Sequence, residues 1–268
     1  MNSLEALRVC NIQNPFNAPV YHAQVVSSTM DVSRKLALKG EPGGTVIAAD
    51  FQETGRGRIQ DRKWQTENKM SLLFTIFLRY KKIDDIPAVL TLKAGLAVSD
   101  AIAGFSEKLK GLVKIKWPND IMINSKKAAG ILCESDGENV YIGIGLNMRQ
   151  KEFPDHLREK ATSFALAGGM EISETERFLL LEKILTHLYN ELQNIKEADG
   201  WKSRLNAQLY KKGEQVTFME GAAGSGREVK GVLCGIGDSG ELLIAPNNET
   251  AVKSFITGEL KTVPAALD

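Results

Sequence analysis

The sequence predicts an α+β fold, with a mixed-sheet domain over residues 1–210 and a small β-barrel domain over residues 211–268. Three observations point there. Strand-length runs of β-branched and apolar residues interleave with helix-spaced apolar positions, without the strict alternation that a parallel βαβ sheet needs. From Lys211 onward the pattern changes to short β runs separated by Gly-, Asp- and Asn-rich turns. A chain of 268 residues that is 43% hydrophobic can bury one large and one small core.

Taken in order, Val20–Ser28 alternates loosely and predicts a first strand. A helix follows, with Val32, Leu36 and Leu38 as its apolar positions and Gly40 as its stop. Thr45–Phe51 and Ser71–Leu78 are β-branched or apolar runs of strand length. Helical spacing runs through Pro87–Leu109 by way of Val89, Leu92, Leu96, Val98 and Ile102. Val113–Trp117 and Asp120–Ile123 read as short strands around a Pro118-Asn119 turn. Lys127–Glu134 and Val140–Leu146 read as a hairpin turned at Asp136–Asn139. Helices are expected over Glu174–Ile195 and Trp201–Leu209. The β runs Gln215–Phe218, Glu228–Ile236, Glu241–Ile244 and Ala251–Ile256 then make up the small barrel. Turns at Gly224-Ser225-Gly226, Gly237–Gly240 and Pro246-Asn247-Asn248 separate them.

Composition narrows the function. With 34 basic and 33 acidic residues the net charge is +1, so there is no bulk electrostatic drive toward nucleic acid or membrane, and any cationic site must be local. Cys10, Cys133 and Cys234 are odd in number and widely spaced, which reads as free thiols in a reducing, cytoplasmic setting. They form no zinc pattern, and no metal-ligand set is expected. Met1–Arg8 lacks the layout of a signal peptide, and the apolar runs are read as too short to span a bilayer.

The chemistry sits in residues 52–64, Gln-Glu-Thr-Gly-Arg-Gly-Arg-Ile-Gln-Asp-Arg-Lys-Trp. Gly55 and Gly57 let main-chain N–H groups approach a ligand closely, while Arg56 and Arg58 offer planar cations suited to carboxylates and phosphates. A solvated basic turn is the bland alternative. Further on stand Lys114-Ile-Lys-Trp-Pro-Asn-Asp120 and Lys126-Lys-Ala-Ala-Gly-Ile-Leu132. By themselves these allow ordinary roles as well: Ser28 as a helix N-cap, Asp120 holding a turn, Lys127 as a solvated strand end, Trp117 in the core.

Together, and in this order, the three segments resemble biotin–protein ligases, which adenylate biotin and attach it to a carrier lysine. The resemblance implies a class II synthetase-like catalytic domain and an SH3-like C-terminal domain. It implies ATP with Mg2+ and biotin as the small molecules, and the biotin carboxyl carrier domain of a biotin-dependent carboxylase as the protein partner. It assigns the biotin side of the site to Ser28, Thr29, Met30, Gln52, Gly55, Arg56, Gly57, Arg58, Trp117, Lys127, Gly130, Gly143 and Gly145. The nucleotide side falls to Arg56, Arg58, Arg62, Trp64, Asn119, Lys127 and Asn147. Arg58, Lys127 and Asp120 are the implied catalytic groups.

Two departures from the family pattern stand out. Met30 occupies a position where the family often has Asn, and the Gly55–Trp64 loop is one residue longer than the commonest spacing, which bears on Arg62. About twenty residues precede the first core strand, too few for the helix-turn-helix domain of many bacterial relatives, so a ligase without repressor function is expected, as monomer or homodimer. The competing classes are a lipoate–protein ligase, whose Arg-Arg-x-Ser-Gly-Gly-Gly motif is not found here, and a nucleic-acid-binding module. Salt-sensitive retention on phosphocellulose would favour the latter.

Overall fold

A computed structural model describes residues 4–58, 64, 67–193, 200–221 and 226–261. An eight-stranded sheet, in the order β1-β2-β3-β4-β8-β7-β6-β5, forms the larger body. Its strands are β1 Arg8–Val9, β2 Val20–Val26, β3 Val46–Gln52, β4 Ser71–Arg79, β5 Val113–Lys116, β6 Asp120–Ile123, β7 Lys126–Asp136 and β8 Asn139–Asn147. Only β2 and β3 run parallel; the other pairs are antiparallel, so the sheet is mixed as the sequence predicts. Strand alternation divides its two faces. Leu72, Phe74 and Ile76 of β4 face a core shared with α2 (Leu90–Ala103) and α5 (Glu176–Gln193), whereas Phe77 joins Ile47, Ala49 and Tyr141 beneath α1 (Thr29–Leu38).

The helix α1 ends in a Schellman arrangement. Gly40 N–H donates to Ala37 O and Glu41 N–H to Leu36 O, with Gly40 at φ +89, a conformation that suits a residue lacking Cβ. Leu38, expected on its apolar face, is instead 85% exposed; the buried face runs through Met30, Val32, Ser33, Leu36 and Ala37. Two short helices, α3 Asp155–Arg158 and α4 Phe164–Gly168, follow β8, and α6 (Gly200–Gln208) leads to the second sheet.

That sheet is five-stranded and antiparallel, in the order β12-β11-β10-β9-β13, built from β9 Gln215–Glu220, β10 Arg227–Ile236, β11 Leu242–Pro246, β12 Lys253–Phe255 and β13 Gly258–Leu260. The run expected to Ile256 stops at Phe255, and Ile256 is exposed. Residues 194–195 of the expected helix and 224–225 of the expected turn lie outside the described residues. One apolar cluster passes without a break from the large sheet into Val216, Phe218, Leu233 and Ile244 of the small one.

The stretch Ile83–Ala103 corrects one expectation. One 18-residue window in it has mean hydropathy 1.5, so by length and composition alone it is long and apolar enough to cross a bilayer. Here it folds as a 3-10 turn and then α2, whose Leu92, Leu96, Val98 and Ile102 are buried in the core shared with α5.

Candidate active site

A cleft opens on the α1 face of the sheet, over the middle of β4, β8 and β7. It is lined by residues of three kinds: the start of α1, the loop after β3, and the floor of the sheet. The floor is low because glycines stand where strand alternation would otherwise raise side chains. Gly143 and Gly145 point the same way along β8, and Gly130 of β7 pairs with Gly145. Side chains from elsewhere take up the room they leave. The Met30 methyl lies 2.8 Å from where a Gly143 Cβ would stand, and the Trp64 indole lies 2.7 Å from the corresponding point at Gly145.

Polar groups line part of the cleft. Gln52, the last residue of β3, accepts at Oε1 from the Thr29 backbone N–H (2.8 Å) and the Thr29 hydroxyl (3.0 Å). The Thr75 hydroxyl donates in turn to Thr29 Oγ1 at 2.9 Å. Ser28 is buried at the N-cap position of α1, but its side chain makes no capping hydrogen bond.

Three cationic side chains line the cleft as well. Lys127 enters β7 with its backbone pinned by Lys160 and Thr162, and its Nζ lies 2.6 Å from Asp120 Oδ1 and 5.7 Å from the centre of the Trp64 ring. Arg56 Nη2 pairs with Asp31 Oδ1 at 2.7 Å, and Arg58 Nη2 donates to the Gly258 carbonyl of β13 at 2.8 Å. The loop is closed at its stem by the Trp64 N–H donating to Gly55 O. A Cβ on Gly55 would come within 3.1 Å of the Trp64 carbonyl, so a side chain there would press the stem apart by a few tenths of an ångström. With Trp64 seated on Gly145, the room in the cleft is about 70 Å³. Sites for drug-sized ligands hold roughly 300–1,000 Å³, so a ligand of that size enters only if the indole shifts. The indole N–H is buried with no hydrogen-bond partner among the described residues.

Of the residues singled out from the sequence, Ser28, Thr29, Met30, Gln52, Arg56, Gly57, Arg58, Trp64, Asn119, Lys127, Gly130, Gly143 and Gly145 line this cleft. Asn119 is fixed there by exchanging bonds with Ile131: its Nδ2 donates to Ile131 O, and Ile131 N–H donates to Asn119 O. Asp120 does not line the cleft and reaches it through Lys127. Gly55 acts at the loop stem, behind the lining.

Two further residues singled out lie outside this lining. Trp117 forms no wall of the cleft: it is 3% exposed, donates from Nε1 to Gly240 O at 2.9 Å and packs against Phe218 of β9. Its residue type suits a flat apolar slot, but it faces the second sheet. Asn147 is likewise absent from the lining; it is buried, donating to Thr162 O and accepting from Gln150 Nε2. Arg62 lies outside the described residues. Sequence reasoning missed Phe74, Thr75, Ile131, Leu132 and Ile144 in the lining. Thr75 alone carried a signal, as the one polar residue in Leu72-Leu-Phe-Thr-Ile-Phe77.

Taken together, the cleft offers a polar recognition end, a flat glycine floor and convergent cations. That is a layout suited to a small molecule with a polar head and an acidic tail. Comparison with known proteins agrees in kind. Residues 22–147 match the model of the biotin/lipoate A/B protein ligase family. The chain is 39% identical over 161 residues to the bifunctional ligase/repressor BirA of Bacillus subtilis, and spans about half the length of that relative (48%, against 57% of this chain). It is 31% identical over 227 residues to a biotin--[acetyl-CoA-carboxylase] ligase of Paracoccus denitrificans, covering 90% of that protein and 81% of this chain. Among solved structures, a biotin protein ligase from Aquifex aeolicus in complex with biotin and ATP superposes with TM-score 0.74 at 28% identity, covering 90% of this chain and 97% of that one.

Proposed function

Since the chain belongs to the biotin/lipoate A/B protein ligase family, we propose that it is an ATP-dependent biotin–protein ligase. A carboxylate oxygen of biotin attacks the α-phosphorus of ATP, the bond to the bridging oxygen breaks and pyrophosphate leaves, giving biotinyl-5′-AMP. The amine of a carrier lysine then attacks the acyl carbon, AMP departs with the electron pair of the anhydride bond, and the amine loses its proton.

The observation that supports this reading most is that Lys127, Arg56 and Arg58 line the same cleft as the Thr29–Gln52 pair. Both reactants of the first step are anions. Fixed cations at the point of meeting offset their repulsion and stabilise charge on the phosphoryl group as it develops. Lys127 is held for this by Asp120, and an incoming anion competes with Asp31 for Arg56. Arg58 would keep the loop over the intermediate. In the second step Asp120 offers a carboxylate to orient the incoming lysine and accept its proton. The biotin head would rest on the glycine floor at the Thr29–Gln52 end, with Trp64 displaced toward the nucleotide.

Among the described residues no group of three or more His, Cys, Asp or Glu side chains forms a protein metal site. Magnesium would enter as the companion of ATP, and no step is assigned to it. Residues 1–210 would be the catalytic domain and 211–268 an SH3-like domain. The partner would be the carrier domain of a biotin-dependent carboxylase, and free thiols at Cys10, Cys133 and Cys234 suit the cytoplasm. The test combines the protein with ATP, magnesium, labelled biotin and a carrier domain. Label on the carrier lysine is expected; no transfer from biotin, with transfer from lipoate, would overturn the reading.

A further inference from the structure

We propose that Thr75 is a positioning residue for the acyl substrate: its hydroxyl holds Thr29, and through Thr29 the amide of Gln52, in the orientation that meets the substrate's polar head. The inference rests on the biotin-ligase reading for the identity of that substrate, but the hydrogen-bond chain itself does not.

Each proton in the chain is assigned by its partners. The backbone N–H of Thr29 can only donate, so the Gln52 atom 2.8 Å from it is the acceptor oxygen, and the amide cannot be flipped. The Thr29 hydroxyl, 3.0 Å from the same oxygen, must donate as well. With its one proton committed, Thr29 Oγ1 can only accept, so the Thr75 hydroxyl at 2.9 Å is the donor. Two donors from Thr29 clamp Gln52 Oε1, which leaves the two N–H groups of Nε2 to serve a ligand. Such chains strengthen one another where solvent is excluded, and Thr75 is fully buried.

Location separates this from an ordinary strand threonine. Thr75 sits at the centre of β4 directly opposite Gly143 of β8, which has no side chain to cover the hydroxyl. A Cβ at Gly143 would lie 3.5 Å from Thr75 Oγ1. The neighbours Leu73 and Phe77 on the same face of β4 are apolar. Valine would fit the site and satisfy the apolar surroundings, yet the residue is a donor at the edge of the cleft.

The experiment compares Thr75→Val and Thr75→Ser with the parent chain. Valine keeps the shape and removes the donor, leaving Thr29 Oγ1 an unmet buried acceptor and its hydroxyl free to turn away from Gln52. Loss of such a bond corresponds to a rise of about tenfold in KM for biotin, with kcat and KM for ATP nearly unchanged, only the modest fall in melting temperature that one unmet buried acceptor brings, and recovery in the serine variant. In the free protein, the side-chain amide signals of Gln52 in a 15N-labelled sample should shift and broaden with valine and return with serine. Unchanged Gln52 signals would overturn the proposal, whatever the substrate proves to be. So would an unchanged KM for biotin, failure of serine to restore it, or parallel losses for biotin and ATP with a large fall in melting temperature. Failure of the parent chain to adenylate biotin would instead sink the ligase reading and leave the Gln52 measurement to decide the chain.

Discussion

Arg58 Nη2 donates to the carbonyl oxygen of Gly258 at 2.8 Å, joining the glycine-arginine loop to the first residue of β13 across 200 positions of sequence. Gly258 holds φ +143, and a Cβ there would come within 2.2 Å of the Phe218 ring, so this carbonyl is presented by a backbone that glycine alone adopts comfortably. The second sheet thereby supplies the acceptor for an arginine that lines the cleft.

Arg58→Ala removes that tether and, on the proposed reading, a cation that would meet the acyl phosphate. The expected outcome is faster escape of biotinyl-5′-AMP, by about ten- to a hundredfold, since one charged hydrogen bond contributes roughly 1.5–3 kcal/mol. Rapid filtration of enzyme loaded with labelled biotin measures it. An unchanged half-life of the bound intermediate counts against the role.

Lys127→Ala should depress the first step itself. Removing one preorganised donor from a developing oxyanion typically costs about 10²–10³ in rate, so biotin-dependent pyrophosphate release should fall by about that much while the fold survives. Lys127→Arg should restore little, because a planar fork does not reproduce a point charge held 2.6 Å from Asp120. Pyrophosphate release at the parent rate in either variant contradicts the assignment.

Trp117 separates a structural from a substrate role. Trp117→Phe keeps much of the contact with Phe218 but loses the hydrogen bond to Gly240 O. The expected cost is about 0.5–1.5 kcal/mol of stability for the bond, with some further loss for the smaller ring, and KM for biotin should not change. A specific rise in that KM, at undiminished melting temperature, would return Trp117 to the cleft.

These residues also show what the sequence could and could not reveal. The Gly-Arg alternation at 55–58 and the paired glycines at 143 and 145 are local patterns with a local physical meaning, and they led to residues that line one cleft. Trp117 is the reverse case. Its neighbours marked a functional segment, but the face toward which its side chain turns is decided by the second sheet, about a hundred residues later. The Arg58–Gly258 contact has the same origin and leaves no local trace. Thr75 was visible as a lone polar residue in an apolar strand, yet its role depends on Thr29 and Gln52, which only the sheet brings together. The two-residue strand β1 is too short for any periodicity, and Leu38 fits the helical period while standing just past the covered surface.

Alkaline pH should weaken the fold. Burial pushes the Cys133 thiol up to about 11 and, with the nearby Asp136 carboxylate, the Tyr141 phenol up to about 12. Both groups are favoured as neutral in the folded chain, so their contribution is fully present below the ordinary thiol and phenol values and is lost as pH rises through 11 to 12. Urea midpoints should hold steady to about pH 9 and then decline, and Cys133→Ser with Tyr141→Phe should flatten that decline. A midpoint that does not change up to pH 11 contradicts the linkage.

On the proposed reading, Arg56, Arg58 and Lys127 serve one mixed anhydride. A crystal structure of the chain with a non-hydrolysable sulfamoyl analogue of biotinyl-5′-AMP tests it most directly. The expected complex has the biotin head beside Gln52 and Thr29, Arg56 released from Asp31, and Lys127 and at least one of the two arginines within hydrogen-bond reach of the bridging group. An analogue bound elsewhere, or bound here with all three cations turned to solvent, would contradict it.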